Sequence, residues 1–283
     1  MPNSYFDEFI ENALKEDIGD GDHTSRACIP PDAYGKAQLL VKEKGILAGV
    51  DVAVRIFTRL DPNAKVEVYK QDGDVVGPPD IAFVVEGKIL ALLKAERLVL
   101  NIMQRMSGIA TRTRQIVDLV EECGCRCRIA ATRKTAPGLR KLDKKAVQTG
   151  GGDPHRLSLS DGILIKDNHL ALVPLETAVA RAKESSLYRK IEVEVQDTDT
   201  AVRAAQAGAD ILLFDNMPVG MVQASLRYLE EEGLREKVLI ELSGGITEKN
   251  LREYLTCDVD LISAGALTHS VMNFDFSLDI VEK

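Results

Sequence analysis

The chain reads as an α/β protein: a C-terminal, partly open β/α barrel preceded by an N-terminal α+β domain. Three observations carry that reading. The C-terminal half alternates short, almost continuously apolar runs with amphipathic stretches, the pattern of strands buried on both faces of a parallel sheet. The N-terminal part shows β-rich runs broken by Gly, Pro and Asp after an opening helix. Nearly every C-terminal strand ends in a polar residue or a glycine, and in a barrel those ends form the active-site mouth.

Composition bounds the rest. A chain of 283 residues with 45% hydrophobic content can bury a large core, as one domain or two. It has no run of 18 apolar residues, so no membrane span is expected. Its first residues, MPNSYFDEFIENALKED, carry acids where a secretory signal needs positive charge, so a cytoplasmic location is expected. The acidic pI of about 5.2 argues against nucleic acid as the main partner. Cys123, Cys125 and Cys127 alternate as C-x-C-x-C, which fits neither a zinc site nor a disulfide framework and is read as reduced thiols.

Along the chain, Tyr5 to Glu16 is a predicted helix, because Phe6, Phe9, Ile10 and Leu14 recur at helical spacing. Asp17 to Ser25, DIGDGDHTS, is turn chemistry, and His23 is read as part of it because no second ligand lies near. From Gly35 to Gly87 the runs AQLLVKEKGILAG, KVEVYK and IAFVVEG predict a small antiparallel or mixed sheet. Ile89 to Met106 turns helical, with Leu92, Leu93, Leu98, Val99, Ile102, Met103 and Met106 on one broad face; Arg97 and Arg105 interrupt it as candidate surface arginines. Ser107-Gly108 is expected to end that helix, with a second running from Ile109 to Cys123. The domain boundary is drawn there, giving 1–108 and 109–269.

Six strand candidates follow: Cys127 to Thr132, Gly162 to Ile165, Lys190 to Val195, Asp210 to Phe214, Val238 to Leu242 and Asp260 to Ser263. Helices intervene at Leu175 to Ser185, Asp199 to Ala207, Val219 to Glu232 and Glu248 to Leu255. So many units in so short a span favour a barrel over an open doubly wound sheet. The strand ends supply cations first (Arg133-Lys134, Lys166), then carboxylates (Glu194, Asp215), then glycine-rich backbone (Ser243-Gly244-Gly245, Ala264-Gly265-Ala266). Late-strand glycines before helix N-termini make a phosphate seat, so the order points to an anionic, phosphorylated substrate.

The cations belong to a basic island. Arg126 to His169 carries ten Lys/Arg against four Asp, in a chain whose formal net charge is −8. A local basic potential in an acidic protein marks a site for small anions. Lys141, Lys144 and Lys145 are read as a solvated face. Arg133, Lys134, Arg156 and Lys166 sit against apolar or small residues, where a charge needs a partner.

TRKTAPGLR (Thr132 to Arg140), GGGDPHR (Gly150 to Arg156), LIKDNH (Leu164 to His169), EVEV (Glu192 to Val195), FDNM (Phe214 to Met217), ELSGGI (Glu241 to Ile246) and GALTHS (Gly265 to Ser270) come in the order and spacing of one family. From DIGDGDHTS onward the chain resembles the quinolinate phosphoribosyltransferases. Two positions depart from the family pattern: Ala131 stands for an Asp before TRKT, and Pro154 for an Asn before His155. Pro154 offers no side-chain hydrogen bond, so the loop holding His155 is expected to differ.

The resemblance implies a pentosyltransferase of NAD biosynthesis. Quinolinate and phosphoribosyl pyrophosphate give nicotinate mononucleotide, pyrophosphate and CO2, with Mg2+. It implies that Arg133, His155, Arg156 and Lys166 hold the vicinal carboxylates of quinolinate, joined by Arg97; guanidinium forks suit that geometry. Lys134, Thr132 and Thr135 would meet phosphate groups. Glu194 and Asp215 would bind ribose hydroxyls, stabilise the developing oxocarbenium and hold Mg2+ through water. Ser243, Gly244, Gly245, Ala264, Gly265 and Ala266 would seat the 5′-phosphate. Lys134, Lys166, Glu194 and Asp215 are thus the expected catalytic residues. The family's arginine at position 97 enters the partner's site, so a homodimer with shared sites is expected, alone or within a hexamer, and the tail 270–283 is expected to pack back on the N-terminal domain. The competing readings are a molybdate-associated homologue sharing TRKT and GGG, a Schiff-base barrel using Lys166, and a non-catalytic anion-binding barrel.

Overall fold

The computed structural model describes residues 4–281. They form two compact units: one runs through Arg114, resumes over Ala136–Gly151 and ends with the segment from Val271; the other holds Gln115–Thr135 and Gly152–Ser270.

The first unit opens with α1 (Ser4–Ile18), α2 (His23–Cys28), β1 (Tyr34–Val41), β2 (Gly45–Ile46), α3 (Val50–Leu60), β3 (Lys65–Val68), β4 (Val75–Val76) and β5 (Ile81–Lys88), and holds α4 (Ile89–Glu122) as far as Arg114. His23 is not in a bare turn. It begins α2, where the Asp22 carboxylate accepts the Ser25 N–H at 2.9 Å as an N-cap. The β-rich stretch from Gly35 to Gly87 is broken by α3, which buries Val50, Val52, Ala53, Ile56 and Phe57. Phe57 meets Phe83 of β5 edge to face, ring centroids 5.9 Å apart, at the centre of this core.

The expected break at Ser107-Gly108 is absent: α4 is one continuous helix. A Cβ on Gly108 would lie 2.0 Å from the Met272 carbonyl oxygen, so the glycine serves close backbone approach and not helix termination. Ser107 is equally committed, its hydroxyl accepting the Ala48 N–H at 2.9 Å. Arg105 does not snorkel either; it forks onto both oxygens of the fully buried Asp143 at 2.7 and 2.9 Å.

The second unit carries β6 (Arg128–Ala130); the chain then passes through α5 (Arg140–Thr149) in the first unit. It returns for β7 (Ile163–Ile165), α6 (Asp167–Leu170), α7 (Leu175–Ser185), β8 (Ile191–Val195), α8 (Thr198–Ala207), β9 (Ile211–Asp215), α9 (Val219–Glu231), β10 (Leu239–Ser243), α10 (Glu248–Tyr254), β11 (Leu261–Ser263) and α11 (Ala266–His269). Lys144, on α5, is buried and not part of a solvated face, while Lys145 pairs with Asp51 and Asp72. The last strand, β12 (Phe276–Val281), belongs to the first unit and pairs antiparallel with β1 in the sheet β12-β1-β5-β3.

The parallel sheet of the second unit runs β6-β11-β10-β9-β8-β7. First strand beside last is the closure of a β/α barrel, here open between β6 and β7. Asp153 extends the β6 side by one parallel bridge to Ala130. The apolar runs predict these strands because both faces are covered: Val193, Val195, Leu212, Phe214, Ile240 and Leu242 are buried, and Ala201 and Ala204 of α8 pack among them.

Candidate active site

The period of two along a strand builds the site. Residues alternating with the outward apolar ones point inward, and they include Glu192 and Glu194 on β8, Leu213 and Asp215 on β9, Glu241 and Ser243 on β10, and Ser263 on β11. Register aligns them, with Leu213 opposite both Glu194 and Glu241, and Ser243 beside both Asp215 and Ser263. A cavity of about 280 Å³ opens there, lined by Thr132, Arg133, Lys134, His155, Arg156, Leu164, Lys166, Glu194, Leu213, Asp215, Glu241, Ser243 and Ser263. A larger cavity of about 680 Å³ lies in the first unit around Val50, Val54 and Lys145; none of the predicted site residues lines it.

Lys166 follows β7 and reaches Glu194 Oε2 at 2.6 Å; the carboxylate is 8% exposed, the ammonium 46%. Its own N–H is accepted by His169 Nδ1 at 2.9 Å, which explains the local KDNH turn. Asp215 Oδ2 accepts from Asn216 Nδ2 at 2.8 Å, and Asn216 has φ +54. The Asn216 amide covers Gly244, where a Cβ would lie 2.4 Å from Asn216 Oδ1; with φ +86, only glycine fits. Thr268 donates to the Lys134 carbonyl at 2.8 Å, tying the end of the β6 loop to α11.

Deeper in the barrel, His155 Nε2 stands 3.1 Å from Glu241 Oε2 and 4.0 Å from Glu192 Oε2. Burial and the charge of Glu241 push the Glu192 carboxyl up to about 7, against the pull of His155, Arg156 and Lys166. Glu192 Oε1 and Ser263 Oγ are buried and make no hydrogen bond. Glu192, Glu241 and Ser263 were not among the predicted site residues. The available signal was the strand period: in EVEV, both acids must share the inner face.

The cavity thus sets three carboxylates, Glu194, Asp215 and Glu241, among the cations Arg133, Lys134, Arg156 and Lys166, and Ser243 on its wall is followed by the left-handed Gly244 and Gly245. The N-terminal-domain model of quinolinate phosphoribosyl transferase matches residues 22–107, and the C-terminal-domain model matches 109–279. The chain belongs to the quinolinate phosphoribosyltransferase family. It is 41% identical over 275 residues to a probable carboxylating nicotinate-nucleotide pyrophosphorylase of Methanothermobacter thermautotrophicus, covering 96% of this chain and 98% of that one. A Bacillus subtilis protein of the same description is 39% identical, with 96% and 92% covered. The structure of the nicotinate-nucleotide pyrophosphorylase from Francisella tularensis superposes with a TM-score of 0.91 at 33% identity, over 99% of this chain and 98% of that one.

Within this family's frame, the cavity brings together Thr132, Arg133, Lys134, His155, Arg156, Lys166, Glu194, Asp215 and Ser243. Thr135, Gly244, Gly245, Ala264, Gly265 and Ala266 are not among its lining residues. Gly244 and Gly245 follow Ser243 directly, and Ala264-Gly265 lead into α11. Arg97 belongs to the other unit, on α4, 59% exposed and 3.8 Å from Glu96. The departure at Pro154 has a local answer: the Asp153 carboxylate accepts the His155 N–H at 2.6 Å. Ala131 is fully buried and donates to the Asp153 carbonyl at 3.0 Å. Among the described residues no helix is long and apolar enough to cross a membrane.

Proposed function

We propose that this cavity transfers the phosphoribosyl group of phosphoribosyl pyrophosphate to the ring nitrogen of quinolinate and releases CO2, making nicotinate mononucleotide for NAD. The chain is a pentosyltransferase of its family, and the observation that supports the residue roles is the gathering of basic donors and carboxylates in one cavity. Arg133, Arg156 and Lys166, with His155, line it as donors for vicinal carboxylates, with Glu194 and Asp215 on the adjacent strands β8 and β9.

Loss of pyrophosphate leaves positive charge on the ribose, which Glu194 and Asp215 stabilise without reorganising. Lys134, with Thr132 and Thr135, neutralises the departing pyrophosphate. Ser243, Gly244 and Gly245, with Ala264, Gly265 and Ala266, hold the 5′-phosphate on backbone N–H groups. Once the pyridine nitrogen is alkylated, its positive charge stabilises the electron pair that CO2 leaves on C2, and that carbon then takes a proton from solvent to give nicotinate mononucleotide; orientation in the barrel supplies the rest. Lys166 bridges the two halves of the site by bonding Glu194 while facing the substrate carboxylates.

Mg2+ fits the donor set, because Glu194 and Asp215 offer the hard carboxylate oxygens it prefers and no sulfur lines the cavity. Held by these two through water, it would neutralise the pyrophosphate. Arg97, exposed on α4, supports a homodimer with shared sites, alone or within a hexamer. A cytoplasmic enzyme is the matching setting for five cysteines none of which is in a disulfide. The test is product formation. Quinolinate, phosphoribosyl pyrophosphate and Mg2+ should yield nicotinate mononucleotide and pyrophosphate in equal amounts, and chelation of Mg2+ should stop both. Absence of nucleotide product would reject the reading.

A further inference from the structure

We propose that Glu241 is a positioning residue for His155: it holds the imidazole protonated at Nε2 and fixes the ring to receive a substrate carboxylate. The proposal rests on the reading of His155 as a ligand of the substrate.

The backbone at His155 is forced. Asp153 is stitched to β6 twice, its N–H to the Ile129 carbonyl at 2.7 Å and its carbonyl to the Ala131 N–H at 3.0 Å. Its carboxylate accepts the His155 N–H at 2.6 Å and pairs with Arg128. That turn sets His155 at φ +54, a conformation uncommon for a residue with a side chain, though histidine is among those that adopt it more often. The loop thus spends conformational freedom to aim one ring into the barrel.

The ring then meets Glu241. A barrel interior is ordinarily filled by Val, Ile and Leu, yet this inward position of β10 carries a carboxylate whose side chain is 2% exposed. A carboxylate so deeply buried requires a donor, and His155 Nε2 is 3.1 Å away. A carboxylate oxygen accepts, so in this pairing Nε2 carries the proton. Nδ1 then donates to a substrate anion only if the ring is doubly protonated, a form favoured by nearby negative charge. The charged groups around the ring are Glu241 from β10, Glu192 from β8, Arg156 next in the chain and Lys166 at the end of β7. A neutral side chain at 241 would remove the charge and let the ring flip.

Glu241→Gln keeps the size and an acceptor but not the charge. It should raise the quinolinate KM roughly tenfold while leaving the phosphoribosyl pyrophosphate KM in place. Added to His155→Ala, it should cost no more than about twofold further, since it acts only through the ring. Penalties that multiply, or an equal rise in both KM values, would overturn the proposal. Nitrogen NMR of 15N-histidine protein gives a readout without turnover. The chain has four histidines, and His155→Ala assigns the signal. In the wild type, His155 Nε2 should stay protonated through neutral pH, and in Glu241→Gln the second ring proton should be lost at least about one pH unit lower. A wild-type ring deprotonated at Nε2, or identical titrations, would overturn the proposal whatever the kinetics. If the NMR holds but His155→Ala binds quinolinate normally, the failure lies in the substrate role of His155.

Discussion

Glu192→Gln should stabilise the protein at high pH and do little at low pH. Glu192 is 5% exposed, its Oε1 makes no hydrogen bond, and Glu241 lies in the same cluster. Burial and that neighbouring charge raise its carboxyl from 4.5 to about 7. Burial penalises the ionised form, so folding takes up a proton wherever the unfolded chain would have lost it. Below the unfolded value the group is neutral in both states and contributes nothing. Between the two values stability falls by about 1.4 kcal/mol per pH unit, and above the folded value the loss levels off, on the order of 3 kcal/mol in all. A neutral isostere escapes that loss. Urea unfolding near pH 8 should therefore show Glu192→Gln more stable by about 3 kcal/mol, with a Tm higher by about 5–10 °C, and near pH 4 the two proteins should nearly coincide. The same difference at both pH values, or a variant less stable near pH 8, would refute the burial argument.

The other predictions concern the fork, the acid, the structural pair and the dimer. Arg156→Lys keeps the charge but loses planar bidentate bonding, so the quinolinate KM should rise by about 2 kcal/mol, roughly thirtyfold, with little change for phosphoribosyl pyrophosphate. Glu194→Gln should lower kcat by about a hundredfold and move both KM values less, because its charge matters most against the oxocarbenium. Arg105→Ala takes the paired cation from buried Asp143 and should cost about 3–5 kcal/mol in denaturant unfolding, whereas Arg105→Lys should cost less. Arg97→Ala and Lys166→Ala should each be nearly inactive, and co-expression should restore roughly a quarter of wild-type activity through mixed dimers with one intact site. A mixture no more active than either variant, with subunit exchange verified, would place Arg97 outside a shared site.

The barrel was legible because its strands are covered on both faces, so apolar runs and amphipathic helices alternate without ambiguity. The first unit was harder. Val50–Leu60, VDVAVRIFTRL, is rich in β-branched residues, but their helix penalty is a few tenths of a kcal/mol each and a buried face outweighs it. Gly108 looked like a helix stop because its reason for being glycine, the Met272 carbonyl, lies far along the chain. The charged strand ends Arg133, Lys134, Lys166, Glu194 and Asp215 line one cavity. Glu192 and Glu241 escaped notice because an acid inside an apolar run reads as a strand's solvent face until the barrel closes around it. Arg105 and Asp143 were invisible as a pair for the same reason as Gly108: their contact depends on the fold, not on local sequence.

The central claim is that one cavity couples phosphoribosyl transfer to decarboxylation. Quinolinate labelled in its C2 carboxyl carbon, mixed with the enzyme and Mg2+, should release no labelled CO2 on its own. Adding phosphoribosyl pyrophosphate should release one CO2 for each nicotinate mononucleotide formed, because only the alkylated, positively charged ring can hold the electron pair that CO2 leaves behind. Labelled CO2 without phosphoribosyl pyrophosphate, or a nucleotide product that keeps both carboxylates, would contradict the account.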